Sequence, residues 1–101
     1  MRLEWTDSAI RDLRAVRAYI AEEDPRAAAR TGARIVDAVE MLTTFPASGR
    51  AGRRPATREL VIPATPYIVA YRVARETVGI LRVIHGARRW PHIGTSIPGS
   101  E

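Results

Sequence analysis

The sequence contains no cysteine, no lysine and no apolar run long enough to cross a bilayer. Without cysteine, the chain forms no disulfide bonds and no thiolate zinc site. The first residues also lack the apolar stretch of a secretory signal peptide. We therefore expect a cytoplasmic protein, and nothing in the sequence predicts a metal site or a cofactor.

A chain of 101 residues with 46% hydrophobic content has room for one packed core but not for two. The last residues are rich in glycine, proline and serine, a composition typical of a loose terminus. We predict one domain over residues 1–91 and a tail over residues 92–101.

All sixteen basic residues are arginine, and they are unevenly distributed along the chain. Residues 1–40 hold seven arginines and eight acidic residues, a net charge of −1. Residues 41–101 hold nine arginines and three acidic residues, a net charge of +6. The second half therefore predicts a localised basic surface that faces an acidic partner.

Two helices are predicted in the first half. Thr6 or Asp7 caps the first helix, whose apolar stripe is Ala9, Ile10, Leu13, Val16 and Ile20. Residues off this stripe, among them Asp12, are expected to face water. The pair Asp24 and Pro25 starts the second helix, because proline lacks the N–H that would be unpaired there. The two helices predict an antiparallel hairpin with a short turn.

The second half predicts strands. Residues 46–56 carry no large apolar side chain and predict an exposed loop, followed by strands over residues 57–62, 67–74 and 77–85. Arg75 and Glu76 include no glycine, so we expect a wide loop between the last two strands. With a short strand over residues 2–5, the order β-α-α-β-β-β predicts an α+β fold. In it, the antiparallel helical hairpin packs on one face of a twisted antiparallel sheet, and the partly open face carries the function.

Several segments in fixed order resemble the ParE/RelE family of bacterial toxins. They are GRAG at residues 49–52, TRELVI at 57–62, PYIVAYRV at 66–73 and ILRVIHGARRW at 80–90. The resemblance extends over residues 2–91 and implies the toxin of a type II toxin–antitoxin module, neutralised by a cognate, ParD-like antitoxin. One fold in this family serves two activities, since RelE-like members cut messenger RNA on the ribosome and ParE-like members poison DNA gyrase.

The residues favour the ParE branch. RelE-like nucleases typically carry an arginine directly after the aromatic residue that opens the strand over residues 67–74, and this sequence has Ile68 there. No lysine is available to stabilise a phosphate, and His92 is the one candidate for a C-terminal acid or base. The sequence therefore predicts no catalytic residue for this branch. If the chain is a nuclease, its site is expected to consist of Arg58, Arg82, His85 and Arg88.

His85 and Arg82 have two interpretations each. His85 is either a general base near neutral pH or a histidine that closes the core at the end of the last strand, and the second interpretation is favoured. Arg82 either contacts a target or packs its stem while the guanidinium reaches an acid such as Glu59.

A further set of residues predicts a binding surface for the antitoxin or for the target. It consists of Arg50, Arg53, Arg54, Arg58, Arg88, Arg89 and Trp90, with no compensating acid expected beside its loop arginines. For any single arginine of this set, an exposed and solvated side chain is the simpler interpretation. For Trp90 the simpler interpretation is that it anchors the core. The basic half alone also fits a non-toxic module that binds RNA or DNA, with affinity that falls steeply with salt.

Overall fold

The computed structural model of the protein describes residues 1–87. The elements, in chain order, are β1 (Arg2–Trp5), α1 (Asp7–Ala21), α2 (Pro25–Glu40), a short 3₁₀ helix (Met41–Thr43), β2 (Arg50–Ala51), β3 (Arg58–Val61), β4 (Tyr67–Ala74) and β5 (Thr77–His85). This order confirms the predicted α+β class. The predicted domain boundary at residue 91 and the tail lie outside the described residues.

Both helices begin where the sequence predicts. The Thr6 side chain accepts a hydrogen bond from the Ala9 N–H at 3.0 Å, and an Asp24 carboxylate oxygen accepts from Arg26 and Ala27 at 3.1 Å. Pro25 occupies the first turn of α2, where its missing N–H costs nothing. Local capping chemistry therefore sets these boundaries. No helix within residues 1–87 is long and apolar enough to span a membrane.

The sheet has five strands in the order β1-β5-β4-β3-β2. The strands β2, β3, β4 and β5 pair antiparallel as expected, whereas β1 joins the edge of β5 in parallel. The expected antiparallel pairing therefore holds for β2 to β5 and not for β1, because a strand's own pattern does not specify its partner's direction. Part of the predicted loop also forms a strand, since Arg50 and Ala51 pair with Glu59 and Arg58.

A bulge in β5 changes which side chains of this strand reach the core. Ala70 pairs with Arg82 and Tyr71 with Ile80, so Leu81 is an extra residue. Strict alternation along β5 would place Val83 on the face opposite Ile80, but the bulge returns Val83 to the same face. Val83 packs in the main core with Ile80, whereas Leu81 joins Ala70 in a second apolar cluster.

The main core lies between the helical hairpin and one face of the sheet. Its fully buried side chains include Ile35, Val39 and Leu42 from the helical layer and Val69, Tyr71, Val78 and Ile80 from the sheet. Leu13, Val16 and Ile20 of α1 pack against it as the apolar stripe predicts. The helices therefore cover one face of the sheet and leave the loop before β3 at its margin.

The turn between β4 and β5 is tight. Ala74 pairs with Thr77, so Arg75 and Glu76 alone form the turn, and Arg75 has a φ of +56°. The wide loop expected from the lack of glycine is therefore wrong. The long ladder of β4 and β5 holds an arginine in a conformation that glycine adopts at less cost.

Replacing Arg75 with glycine is expected to raise the free energy of unfolding by about 1 kcal/mol, because it removes the cost of the positive φ. Urea unfolding followed by circular dichroism measures the change as a higher midpoint. Arg75→Ala is the matched control, since it removes the charge and keeps the β-carbon. Equal midpoints for the two variants would show that backbone conformation is not the cause.

Candidate functional site

The segment that precedes β3, residues 46–57, is organised around the buried carboxylate of Glu59. We call this segment the arginine loop. Glu59 is 2% exposed, and its Oε1 accepts hydrogen bonds from Arg50 Nε at 3.2 Å and Nη2 at 3.0 Å. Its Oε2 accepts from the backbone N–H of Arg53 at 2.9 Å, and Arg53 Nε lies 3.7 Å away. The expectation that no acid compensates these arginines was therefore wrong.

Tyr71 and Arg58 fix the first half of the arginine loop. The Tyr71 hydroxyl donates to the carbonyl of Pro46 at 2.7 Å and accepts from the N–H of Gly49 at 2.8 Å. Arg58 Nη1 donates to the carbonyls of Gly49 at 2.8 Å and Ala47 at 3.3 Å. A β-carbon on Gly49 would lie 2.6 Å from the Tyr71 ring, so glycine is required for this close approach.

Thr57 fixes the second half of the loop. Its carbonyl accepts from the N–H of Gly52 at 2.8 Å, and its hydroxyl donates to the carbonyl of Arg54 at 2.6 Å. A β-carbon on Gly52 would overlap the Thr57 hydroxyl oxygen, and Ala56 adopts a φ of +61°. The loop is exposed as predicted, and its backbone is held by hydrogen bonds to side chains and backbone groups at and beyond its end.

The ordered backbone presents cationic side chains to solvent. The side chains of Arg50 and Arg53 are 57% and 47% exposed, and Arg54 is exposed at the far end of the loop. Guanidinium groups bind carboxylates and phosphates through paired hydrogen bonds, so this surface is suited to an anionic partner. The structure therefore places Arg50, Arg53 and Arg54 on the arginine loop, with Arg50 and Arg53 joined through Glu59, and Arg58 on the adjacent strand. Arg88, Arg89 and Trp90 lie outside the described residues.

Arg82 is held at the junction of α1 and the sheet. Its Nε donates to Asp12 Oδ2 at 2.7 Å and its Nη2 to Oδ1 at 2.9 Å, while the N–H of Val83 donates to Oδ2 at 3.0 Å. The Arg82 and Asp12 side chains are 22% and 16% exposed. Asp12 was expected to face water, and this was wrong. The acid that the Arg82 guanidinium reaches is Asp12 and not Glu59. No local sequence pattern indicates that two residues seventy positions apart form an ion pair.

The hydrogen bonds that Arg82 donates to Asp12 raise the pKa of the guanidinium above its usual value. Partial burial acts against this shift and the negative charge of Asp12 adds to it. Arg82 therefore remains a cation whose charge is compensated by Asp12.

The remaining candidates for phosphate chemistry are separated in the sheet. His85 Nδ1 accepts from the Ala87 N–H at 3.2 Å, and its ring meets Tyr67 edge-on at 5.6 Å between centroids. His85 pairs with Tyr67 and Arg58 with Tyr71, so their strand positions are about 13 Å apart along β4. Within residues 1–87, no group of three or more histidine, aspartate or glutamate side chains could hold a metal ion.

Comparisons with known proteins agree with this architecture. Residues 3–90 match the family described as the ParE toxin of type II toxin-antitoxin systems, parDE. A solved structure titled "Chromosomal ParDE TA system from P. aeruginosa" superposes with a TM-score of 0.75 at 30% identity, covering 84% of this chain and 95% of that one.

Relatives similar in sequence are also toxins by name. Toxin Y4kP of Sinorhizobium fredii is 50% identical over 92 residues, which cover 91% of this chain and 95% of the relative. Toxin RelE2 of Caulobacter vibrioides is 38% identical over 84 residues, covering 83% and 93%. The protein is a toxin of a type II toxin–antitoxin system. Within that class it belongs to the ParE toxin family, as the resemblance predicted, and its family pairs it with an antitoxin.

Proposed function

We propose that this toxin binds DNA gyrase directly in the cytoplasm, stalls it after DNA strand cleavage, and is neutralised by a ParD-like antitoxin in a plasmid-stabilising module. The activity requires protein–protein contact and no chemical step by the toxin. The observation that carries the proposal is the engagement of Arg82, one of the cations that a nuclease site would use. Its guanidinium forms a two-bond contact with Asp12.

Metal-independent cleavage of RNA needs a base, an acid and cations that converge on one phosphate. Arg58 directs its guanidinium to the carbonyls of the arginine loop, whereas His85 lies at the other end of β4 against Tyr67. Ile68 is 6% exposed and contributes apolar packing where nucleases of the superfamily carry an arginine. These placements support an inhibitor that acts by binding.

The purified toxin is expected to inhibit supercoiling of plasmid DNA by gyrase at concentrations near that of the enzyme. His85→Ala should inhibit to the same extent, because the histidine ring packs edge-on against Tyr67 and accepts from the Ala87 N–H, both within the toxin's own fold. An agarose-gel supercoiling assay measures both. Unchanged supercoiling at large excess of a folded toxin would contradict the gyrase target.

One observation favours a second candidate, since two relatives at 38% and 39% identity bear the name RelE. A ribosome-dependent messenger RNA endonuclease would use Arg58, Arg82, His85 and Arg88. Toxin induction would then cut ribosome-bound messages, and replacing His85 and Arg88 by alanine would abolish the cuts. Intact messages during growth arrest would exclude this candidate. Normal growth with salt-sensitive binding to nucleic acid would instead indicate a non-toxic binding module.

A further inference from the structure

We propose that the arginine loop is a preformed docking surface for an acidic segment of a protein partner, and that buried Glu59 is the residue that positions it. The inference deepens the proposed function, because it rests on the pairing with an antitoxin. It does not depend on gyrase as the target.

The first argument is the source of the loop's order. Side chains of β3, β4 and the residue before β3 make hydrogen bonds to the loop backbone at five positions, namely Pro46, Ala47, Gly49, Arg53 and Arg54. Strand residues such as Glu59 and Tyr71 are themselves buried and fixed. Because the loop is already ordered, a partner does not have to immobilise its backbone on binding.

The second argument is the direction of the charges. Glu59 engages Nε and Nη2 of Arg50, which leaves Nη1 without a hydrogen-bond partner in residues 1–87. The exposed Arg54 guanidinium has no partner among these residues either. Two outward guanidinium groups on a rigid loop match carboxylates on a short segment. Affinity for nucleic acid instead grows with the number of phosphates that the protein neutralises. Two cations neutralise few phosphates, so the surface favours a short acidic segment of a protein.

The third argument separates positioning from simple charge. Glu59→Gln raises the net charge beside the loop by one unit, so long-range attraction alone would tighten binding of an acidic partner. It also removes the carboxylate that holds the Arg50 guanidinium. If Glu59 acts by positioning, the variant binds an acidic partner more weakly even though it is more basic. The two explanations predict opposite signs.

The test uses the full chain and a short oligoglutamate peptide as probe, with affinity measured by fluorescence anisotropy at low salt. We expect about fivefold weaker binding for Glu59→Gln, because the Arg50 side chain must then be ordered by the peptide on binding. Arg54→Ala should weaken binding to a similar extent. Glu76→Gln is the matched control, because it makes the same charge change at the exposed turn between β4 and β5, and it should bind at least as tightly as the unmodified chain.

Amide hydrogen exchange supplies a second readout. The Arg53 N–H should lose protection in Glu59→Gln and keep it in Glu76→Gln. Tyr71→Phe, which changes no charge, should also weaken peptide binding by releasing the Gly49 N–H, and it keeps the test decisive if Glu59→Gln does not fold.

Equal or tighter binding by folded Glu59→Gln would overturn the positioning role. A single-stranded oligodeoxynucleotide that binds more tightly than the peptide, and depends on Arg54, would overturn the acidic protein partner. Supercoiling by gyrase is measured on the same preparations. If the unmodified toxin inhibits gyrase but the variants leave peptide binding unchanged, the docking surface alone is rejected. If the variants weaken peptide binding as expected but the toxin does not inhibit gyrase, the gyrase target alone is rejected.

Discussion

Replacing Asp12 with alanine is expected to lower the free energy of unfolding by about 3 kcal/mol, the lower end for breaking a buried ion pair, because both partners are partly exposed. The substitution leaves the Arg82 guanidinium and the Val83 N–H without their shared acceptor at the junction of α1 and β5. Thermal and urea unfolding, followed by circular dichroism, measure the loss.

A double-mutant cycle shows whether the loss comes from the pair itself. Arg82→Met keeps most of the apolar stem and removes the charge, so the double variant should be less destabilised than the sum of the single variants by more than about 1 kcal/mol. Asp37→Ala, an exposed change on α2, is the control and should fall within about 0.5 kcal/mol of the unmodified chain. A coupling near zero would mean that the contact contributes nothing to stability.

The ion pair between Asp12 and Arg82 bears on function as well as on stability. A toxin that used Arg82 to stabilise a phosphate would need its guanidinium turned toward the substrate. Here the carboxylate of α1 takes two of its N–H groups and at the same time caps an N–H at the edge of β5. Asp12 therefore joins the helical layer to the sheet. This contact supports a structural role for Arg82, as the gyrase proposal requires, and not a role in binding a substrate phosphate.

Local patterns predicted the elements of the fold, and long-range contacts decided the rest. The helix starts at Thr6 and Asp24 follow from side chains that cap adjacent N–H groups, and the structure confirms them. The parallel edge pairing of β1 and the bulge at Leu81 depend on partners far along the chain. No pattern within a short window encodes such a partner.

The candidate site shows the same division. Exposure of the arginine loop was predictable, because residues 46–56 carry no large apolar side chain. Its order was not, because the groups that fix it belong to β3 and β4. Glu59 in particular is surrounded by strand-forming residues, and only the antiparallel pairing with Arg50 shows that its carboxylate serves the loop.

Tyr71 joins the core to the arginine loop, and its removal is expected to have the largest effect of any single change considered. It is the largest fully buried side chain in residues 1–87 and lies in the main core. Tyr71→Ala should therefore lower the free energy of unfolding by about 4 kcal/mol, since it leaves a cavity and removes the hydroxyl bonds to Pro46 and Gly49. Urea unfolding measures the change.

Tyr71→Phe separates the two contributions to this loss. It keeps the ring in the core and removes only the hydroxyl, so we expect a loss of about 1–2 kcal/mol from the Gly49 N–H and the Pro46 carbonyl left without their partner. Faster amide exchange in that variant should be confined to the arginine loop, with β4 and β5 still protected. Exchange that rises equally throughout the sheet would mean that the hydroxyl stabilises the whole fold and does not specifically order the loop.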